Sequence, residues 1–162
     1  MGFDVYGSHA TGQKGEYFRN SVWWWRPLWE FITEYADDCL TQEQLHDGNY
    51  NSGMAVSAND ASALAKRLKD LVRSGEARGY QAQRQTMLDA LPDEPCEFCE
   101  QGVTTEAVGK KYPAYQPHIG KPCIQCKGKG TREPFDKGYV FSVRNVVEFA
   151  HFCEASGGFE VW

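Results

Sequence analysis

Trp23-Trp-Trp-Arg-Pro-Leu-Trp-Glu-Phe-Ile-Thr-Glu-Tyr-Ala-Asp-Asp-Cys-Leu40 is the stretch around which we expect this chain to fold. The stretch begins with three tryptophans. We predict a helix from Pro27, a residue favoured in the first helical turn, to about Leu40. Acidic residues take the predicted solvent side. The apolar residues recur at helical spacing over a wide arc: Leu28, Trp29, Phe31, Ile32, Tyr35, Ala36 and Cys39. The helix is therefore predicted to form the centre of the core.

The tryptophans at positions 23–25 have two interpretations. Tryptophan is enriched among the residues that anchor interfaces, so this segment is a candidate recognition surface. Core packing is favoured, because a chain of 162 residues needs large side chains to bury enough surface.

Three further helices are predicted along the chain. The first covers residues 57–74, with Ser57 as its N-cap and Gly75 as its stop. Others are expected over residues 76–91 and from residue 143 to near residue 157. The core candidates of the helix over residues 76–91 are Tyr80, Met87, Leu88 and Leu91.

Two short segments, one near each end of the sequence, alternate apolar with acidic or aromatic residues, as strands do. They are Phe3-Asp-Val-Tyr6 and Phe159-Glu-Val-Trp162, and glycines bound both. We predict that the two segments pair with each other, which would bring the ends of the fold together.

Four cysteines form two pairs, Cys96-Glu-Phe-Cys99 and Cys123-Ile-Gln-Cys126, which are separated by 23 residues. A Cys-x-x-Cys turn lets two thiolates converge on one metal ion, and a second such turn completes a tetrahedral zinc site. Two disulfides, or cysteines buried as small apolar side chains, are the alternatives. Zinc is favoured because nothing in the sequence indicates an oxidising compartment. We predict one structural Zn²⁺.

The other two cysteines, Cys39 and Cys153, lie in apolar helical stretches and are predicted to be free buried thiols. His118 lies between the two cysteine pairs and is the other candidate metal ligand, in place of one cysteine.

The predicted fold is mainly α within the α+β class: a small helical bundle with a short two-stranded pairing of the terminal segments and an inserted zinc ribbon. The helical body comprises residues 1–91 and 136–162, and the zinc-binding module comprises residues 92–135. No stretch approaches the length of a membrane span, and the first residues lack the basic region of a signal peptide. A cytoplasmic location is expected, with no membrane partner.

The second cysteine pair and its flank, Cys123-Ile-Gln-Cys-Lys-Gly-Lys-Gly130, resemble the Cys-x-x-Cys-x-Gly-x-Gly repeat of DnaJ-type co-chaperones, in which two repeats share each zinc ion. The first pair departs from this repeat, because Gln101 stands where the first glycine belongs and Gly102 follows one place late. No His-Pro-Asp motif of a J-domain is present. The resemblance implies a zinc site and argues against a co-chaperone cycle.

The flanking segments are similar to a family of small phage and prophage proteins that has a tryptophan-rich segment. The similarity lies in Gly15-Glu-Tyr-Phe-Arg-Asn20, Trp23-Trp-Trp-Arg-Pro-Leu-Trp29, the stretch from Phe141-Ser-Val through Phe149, and Ser156-Gly-Gly-Phe-Glu160. It implies an accessory role, in which such a protein binds host machinery and modifies or blocks it.

The net charge of −5 is unevenly distributed. Residues 27–65 contain seven acidic residues and no lysine or arginine, whereas residues 107–132 contain six basic residues and no acid. Basic residues interleaved with tyrosines are typical of surfaces that hold phosphates and stack bases. Simple solvation, or compensation of a negatively charged zinc–thiolate centre, is the alternative. The candidate binding residues are Lys110, Lys111, Tyr112, Tyr115, Lys121, Lys127, Lys129 and Arg132.

The sequence indicates no catalytic residues. A catalytic zinc keeps an open coordination position and usually has a histidine or carboxylate ligand, whereas four cysteines close the site. The four histidines are scattered, and no phosphate-binding or nucleophile motif is present. The interpretation favoured by the sequence is a non-enzymatic zinc-binding accessory protein of phage or prophage type that binds a protein partner as an inhibitor or adaptor of host machinery. A nucleic-acid-binding module that uses the basic ribbon is the alternative, and an enzyme with an unrecognised site is the third.

Overall fold

The computed structural model describes residues 2–162, which form two compact units. The first unit comprises the chain up to Met87 together with Gly138–Trp162, and the second is Leu88–Lys137. The elements in chain order are β1 (Gly2–Gly7), α1 (Gln13–Glu16), β2 (Tyr17–Ser21), α2 (Val22–Tyr35), α3 (Gln42–Asp47), β3 (Met54–Val56), α4 (Ala58–Ser74), α5 (Glu76–Asp89), β4 (Glu94–Pro95), α6 (Glu106–Lys111), β5 (Thr131–Arg132), α7 (Val143–Ser156) and β6 (Phe159–Val161). Short 3₁₀ turns cover Asp37–Cys39, Pro113–His118 and Phe135–Gly138.

The first unit contains a four-stranded antiparallel sheet in the order β2-β1-β6-β3. Val5 of β1 is the register partner of Val161 in β6, and Phe159 of β6 is the partner of Val56 in β3. The predicted pairing of the two terminal segments is therefore confirmed. The sheet is larger than predicted, because β2 and β3 add a strand on either side of this pair.

The helix α2 lies in the core of the first unit, as predicted. Trp25 and Trp29 are fully buried, and their rings stack with centroids 5.2 Å apart. The indole N–H of Trp25 donates to the carbonyl of Gly48 at 2.7 Å, and that of Trp29 donates to the carbonyl of Leu45 at 2.8 Å. A Cβ at position 48 would lie 2.1 Å from the Trp29 ring, so only glycine fits there. Both large indoles are thus buried with their polar atoms satisfied.

The boundaries predicted for this helix are wrong, because α2 begins at Val22 and ends at Tyr35 rather than running from Pro27 to Leu40. Pro27 lies inside the helix, where it cannot donate a helical hydrogen bond. Burial of Trp25 before the proline outweighs that penalty, since packing regularly overrides local propensity. The neighbouring indole of Trp24 points outward and is 43% exposed.

The helices α4 and α7 pack against each other and complete the core. Cys153 of α7 is buried there, as predicted, and burial raises the pKa of its thiol well above the usual value. Cys39 is half-buried, and burial, followed by the nearby Asp38, raises its pKa to about 11.

The helix α5 differs from the prediction in which side of it is buried. Tyr80 packs on the rings of Phe31 and Phe141, with centroids 5.1 Å and 4.7 Å away. Met87, a predicted core residue, is 65% exposed. This part of the prediction is wrong because most of α5 is polar, so the helix contacts the core only along one short face. None of the helices within residues 2–162 is long and apolar enough to cross a membrane.

Candidate metal centre

The four predicted zinc ligands come together in the second unit. Their Sγ atoms all lie within 4.8 Å of one another, and the side chains of Cys96, Cys99, Cys123 and Cys126 are at most 9% exposed. The first cysteines of the two pairs face each other at 3.9 Å, and the second cysteines face each other at 3.6 Å. Sulfurs bound to zinc at about 2.3 Å in a tetrahedron are about 3.8 Å apart. The cluster therefore has the dimensions of a four-thiolate metal site.

The disulfide interpretation of these cysteines does not fit the structure. All six cysteines of the chain are free, and the sulfur separations in the cluster are far larger than the roughly 2.05 Å of a disulfide bond. The four sulfurs also form the main core of their unit, with Phe98 packed against them. Four converging thiol sulfurs are the donor set that zinc prefers, so the residues fit a Zn²⁺ ion.

Backbone N–H groups point at the sulfurs from both turns. The N–H of Gly130 donates to Cys126 Sγ at 3.3 Å, and the N–H groups of Phe98 and Gly102 donate to Cys96 and Cys99. Such bonds stabilise thiolates and orient them toward a metal. The first turn therefore keeps its hydrogen bonds to sulfur although it departs from the repeat.

Backbone conformation explains how the first turn achieves this. Gln101 and Gly102 have φ values of 50° and 87°, close to the 53° and 82° of Lys127 and Gly128 in the second turn. A non-glycine residue rarely adopts a positive φ. Each turn thus places an ordinary residue followed by a glycine in the left-handed region, one position later in the first turn than in the second, and the second turn adds Gly130 with a φ of 78°.

The surroundings of the thiols shift their pKa values in different directions. Burial raises the pKa of Cys99 to about 12 and also raises that of Cys96. At Cys126 burial acts in the same direction, but the N–H of Gly130 and the neighbouring thiols outweigh it and lower the pKa to about 7. A bound metal ion favours the thiolate form of every ligand, so metal binding is expected to release protons.

Gly102→Ala is expected to weaken zinc binding by about 10- to 100-fold, the usual effect of disturbing groups that orient metal ligands. A Cβ at position 102 would lie 2.1 Å from the carbonyl oxygen of Gly128, so the two turns would be forced apart. Gly120→Ala is the matched control, because Gly120 has a similar φ of +76° and nothing within 4 Å of its added Cβ. Chelator competition measures both affinities. Equal losses in the two variants would show that φ strain, rather than contact between the turns, sets the effect.

The basic candidate residues have different surroundings within the second unit. Lys111 lies with its ammonium 5.1 Å from the centroid of the Tyr112 ring, and Lys121 donates to the carbonyl of Pro117 at 3.0 Å. Arg132 pairs with Glu97 at 3.4 Å. Lys127 and Lys129 are exposed and form no ion pair with any residue in the range 2–162, whereas Lys110 is exposed at the end of α6.

Tyr115 lies inside the second unit rather than on its surface. It is 7% exposed, its ring stacks on Phe98 at 5.1 Å, and its hydroxyl accepts a hydrogen bond from Gln125 at 2.7 Å. The ring therefore has little surface left for a base. His118 is not part of the metal cluster formed by the described residues.

Sequence reasoning missed the apolar side chains that the two turns expose. Val103 is 43% exposed and Ile124 is 50% exposed, and Val103 lies opposite the exposed Pro122 in an antiparallel bridge. We call Val103, Pro122 and Ile124 the knuckle face. The signal that predicts it is an isoleucine at an inner position of a Cys-x-x-Cys turn, where the side chain points away from the metal.

The first unit has an open groove of about 320 Å³ lined by Asn20, Trp24, Ser142, Arg144, Asn145 and Glu148. Asn145 donates to the carbonyl of Trp24 at 3.2 Å and accepts from Asn20 at 3.0 Å. Glu148 is the carboxylate that lines the groove, and it pairs with Arg144 at 2.7 Å.

Comparison of the chain with protein-family models, with curated proteins and with solved structures finds no match. The similarities to the DnaJ-type repeat and to phage proteins therefore stay predictions. The structure defines a mainly helical α+β protein with a four-cysteine site compatible with zinc.

Proposed function

We propose that this chain is a non-enzymatic protein-binding protein in which a structural Zn²⁺ stabilises residues 88–137 as a recognition module. The observation that carries the proposal is the cluster of four buried cysteines, which would fill all four positions of a tetrahedral ion. A metal without an open position does not bind substrate or water. Such a metal instead stabilises the folded state, and in zinc-dependent peptides it contributes about 10–16 kcal/mol to the free energy of folding.

The knuckle face supports a protein as the partner. A unit held together by a metal needs few apolar side chains for its own core, yet Val103 and Ile124 are both largely exposed. Val103 lies opposite Pro122, and exposed apolar groups that lie together favour contacts with protein. The exposed ammonium groups of Lys127 and Lys129 flank this part of the sequence and favour acidic groups in the partner.

The charge of the second unit favours protein over nucleic acid. Residues 88–137 contain seven basic and eight acidic residues, and a four-thiolate zinc centre adds negative charge. Nucleic-acid affinity depends on an excess of positive charge that displaces counterions from phosphates. The burial of Tyr115 also removes one of the two proposed stacking rings. The similarity of the flanking segments to small phage proteins is our basis for proposing an accessory role against host machinery.

The proposal is tested by affinity capture from a nuclease-treated bacterial lysate with the zinc-loaded chain as bait. Val103→Ser/Ile124→Ser is compared with wild type and with Tyr50→Ser, which removes a side chain of similar exposure from the first unit. Wild type and Tyr50→Ser are expected to retain the same protein, and the double variant is expected to lose most of it while keeping its zinc. Equal capture by the double variant, or capture seen only in a parallel lysate without nuclease, would contradict the proposal.

A further inference from the structure

The open face of the four-stranded sheet carries exposed aromatic and acidic side chains in a regular array. Side chains alternate across a pleated sheet, so the apolar residues of β1 and β6 point into the core and the intervening residues point outward. Phe3, Val5, Phe159 and Val161 are at most 4% exposed. The residues between and beside them form what we call the aromatic–acidic face: Asp4, Tyr6, Tyr17, Arg19, Glu160 and Trp162.

Strand register arranges this face in two rows. Tyr6 lies between its register partners, Tyr17 on β2 and Glu160 on β6, and so defines the first row. In the second row, Asp4 is the partner of Arg19 and exchanges two backbone hydrogen bonds with Trp162, at 2.7 Å and 2.8 Å. Tyr6 and Trp162 are therefore diagonal neighbours, and Glu160 stands next to both.

Local contacts hold the three rings in place. The rings of Tyr6 and Tyr17 lie 5.2 Å apart, the Tyr17 hydroxyl donates to Asp4, and the Trp162 indole N–H donates to Glu160 at 3.2 Å. The Trp162 ring also lies close over Gly53, where a Cβ would be 2.7 Å from it. Tyr6, Tyr17 and Trp162 nevertheless remain 49%, 44% and 50% exposed. The three rings therefore form an ordered aromatic surface that remains available for contact with a partner.

One charge on this face is uncompensated. Arg19 pairs with Asp4 at 3.5 Å, whereas no lysine or arginine within residues 2–162 lies within ion-pair distance of Glu160. Aromatic ring faces attract cations, and a carboxylate beside them adds to that attraction. The arrangement of Tyr6, Glu160 and Trp162 is thus complementary to a guanidinium or ammonium group and repels a phosphate.

We propose that the aromatic–acidic face binds a basic segment of a partner protein, with an arginine side chain placed against Tyr6 and Trp162 and paired with Glu160. Arginine fits best, because its planar guanidinium stacks on rings while it forms hydrogen bonds to a carboxylate. The face belongs to the first unit, so the proposal stands independently of the zinc module and of its partner.

The test uses the zinc-loaded full chain and a short peptide of alternating arginine and glycine, with binding followed by NMR chemical shifts and by fluorescence anisotropy. Shifts are expected at the indole N–H of Trp162 and at the amides of Tyr6 and Glu160. Glu160→Gln and Trp162→Ser are each expected to weaken binding about tenfold. Glu43→Gln and Tyr50→Ser are the controls, because they remove the same charge and a similarly exposed ring elsewhere on the first unit.

Three results would overturn this proposal. Equal weakening of binding by Glu160→Gln and Glu43→Gln would mean that the peptide responds only to net charge. A peptide of alternating glutamate and glycine that binds as well as the basic one would rule out cation recognition. Shifts of the same residues by a single-stranded oligonucleotide, with none from the basic peptide, would assign the face to nucleic acid.

Discussion

Cys123→Ser is expected to abolish stable zinc binding and unfold residues 88–137 while leaving the first unit folded. Three thiolates cannot fill a tetrahedral site, and the four cysteines form the main core of the second unit, so loss of the ion removes what holds it together. The first unit has its own core, in which no metal ligand takes part. Metal analysis should find one zinc per chain in wild type and little in the variant.

Tryptophan fluorescence separates the two units in this experiment. All five tryptophans, at positions 23–25, 29 and 162, belong to the first unit. We expect an unchanged fluorescence unfolding curve for Cys123→Ser, together with collapsed amide dispersion for residues 88–137. Cys39→Ser is the control and should retain one zinc, because Cys39 is not in the cluster. Retention of native amide shifts in residues 88–137 after zinc loss would disprove a structural role for the metal.

Trp25→Ala is expected to destabilise the first unit by about 3–5 kcal/mol, the range for deleting a buried aromatic side chain. Trp25 is fully buried, stacks on Phe3 and Trp29 with centroids 5.1 Å and 5.2 Å away, and donates a hydrogen bond to Gly48. Its removal leaves a cavity and an unpaired carbonyl. Denaturant unfolding followed by the fluorescence of the remaining tryptophans gives the change in free energy.

The adjacent residue supplies the control for this measurement. Trp24→Ala removes an indole that is 43% exposed from the same helix turn, so we expect a cost of about 1 kcal/mol or less. Both variants lose one tryptophan and gain one alanine, which cancels differences in helix propensity. Similar losses for Trp24→Ala and Trp25→Ala would mean that the three tryptophans act as one surface cluster rather than as one core residue with exposed neighbours.

The features that sequence predicts correctly depend on short-range patterns. The spacing of two Cys-x-x-Cys turns predicts that four cysteines cluster, and the apolar periodicity after Trp25 identifies the central helix. The alternation of Phe3–Tyr6 and Phe159–Trp162 predicts their pairing. The strand β3 could not be predicted from the sequence, because Met54-Ala-Val56 has only three residues. A strand of that length is recognisable only by the strand it pairs with.

The residues around the candidate site were harder to predict, since their exposure is decided by tertiary packing. Lysines interleaved with tyrosines indicated one surface for nucleic acid, yet Tyr115 is an interior residue stacked on Phe98. Outward side chains on a sheet depend on strand register, which places Tyr6, Glu160 and Trp162 together although they lie far apart in sequence. Only knowledge of the complete sheet order reveals that surface.

The position of β6 has a consequence for how the protein folds during its synthesis. This strand lies between β1 and β3, which do not pair with each other, so each of them lacks β6 as a neighbour until Phe159–Val161 leave the ribosome. The metal ligands are complete once Cys126 has emerged. We therefore expect residues 88–137 to take up zinc cotranslationally, before Phe159–Val161 emerge and the first unit can complete its sheet.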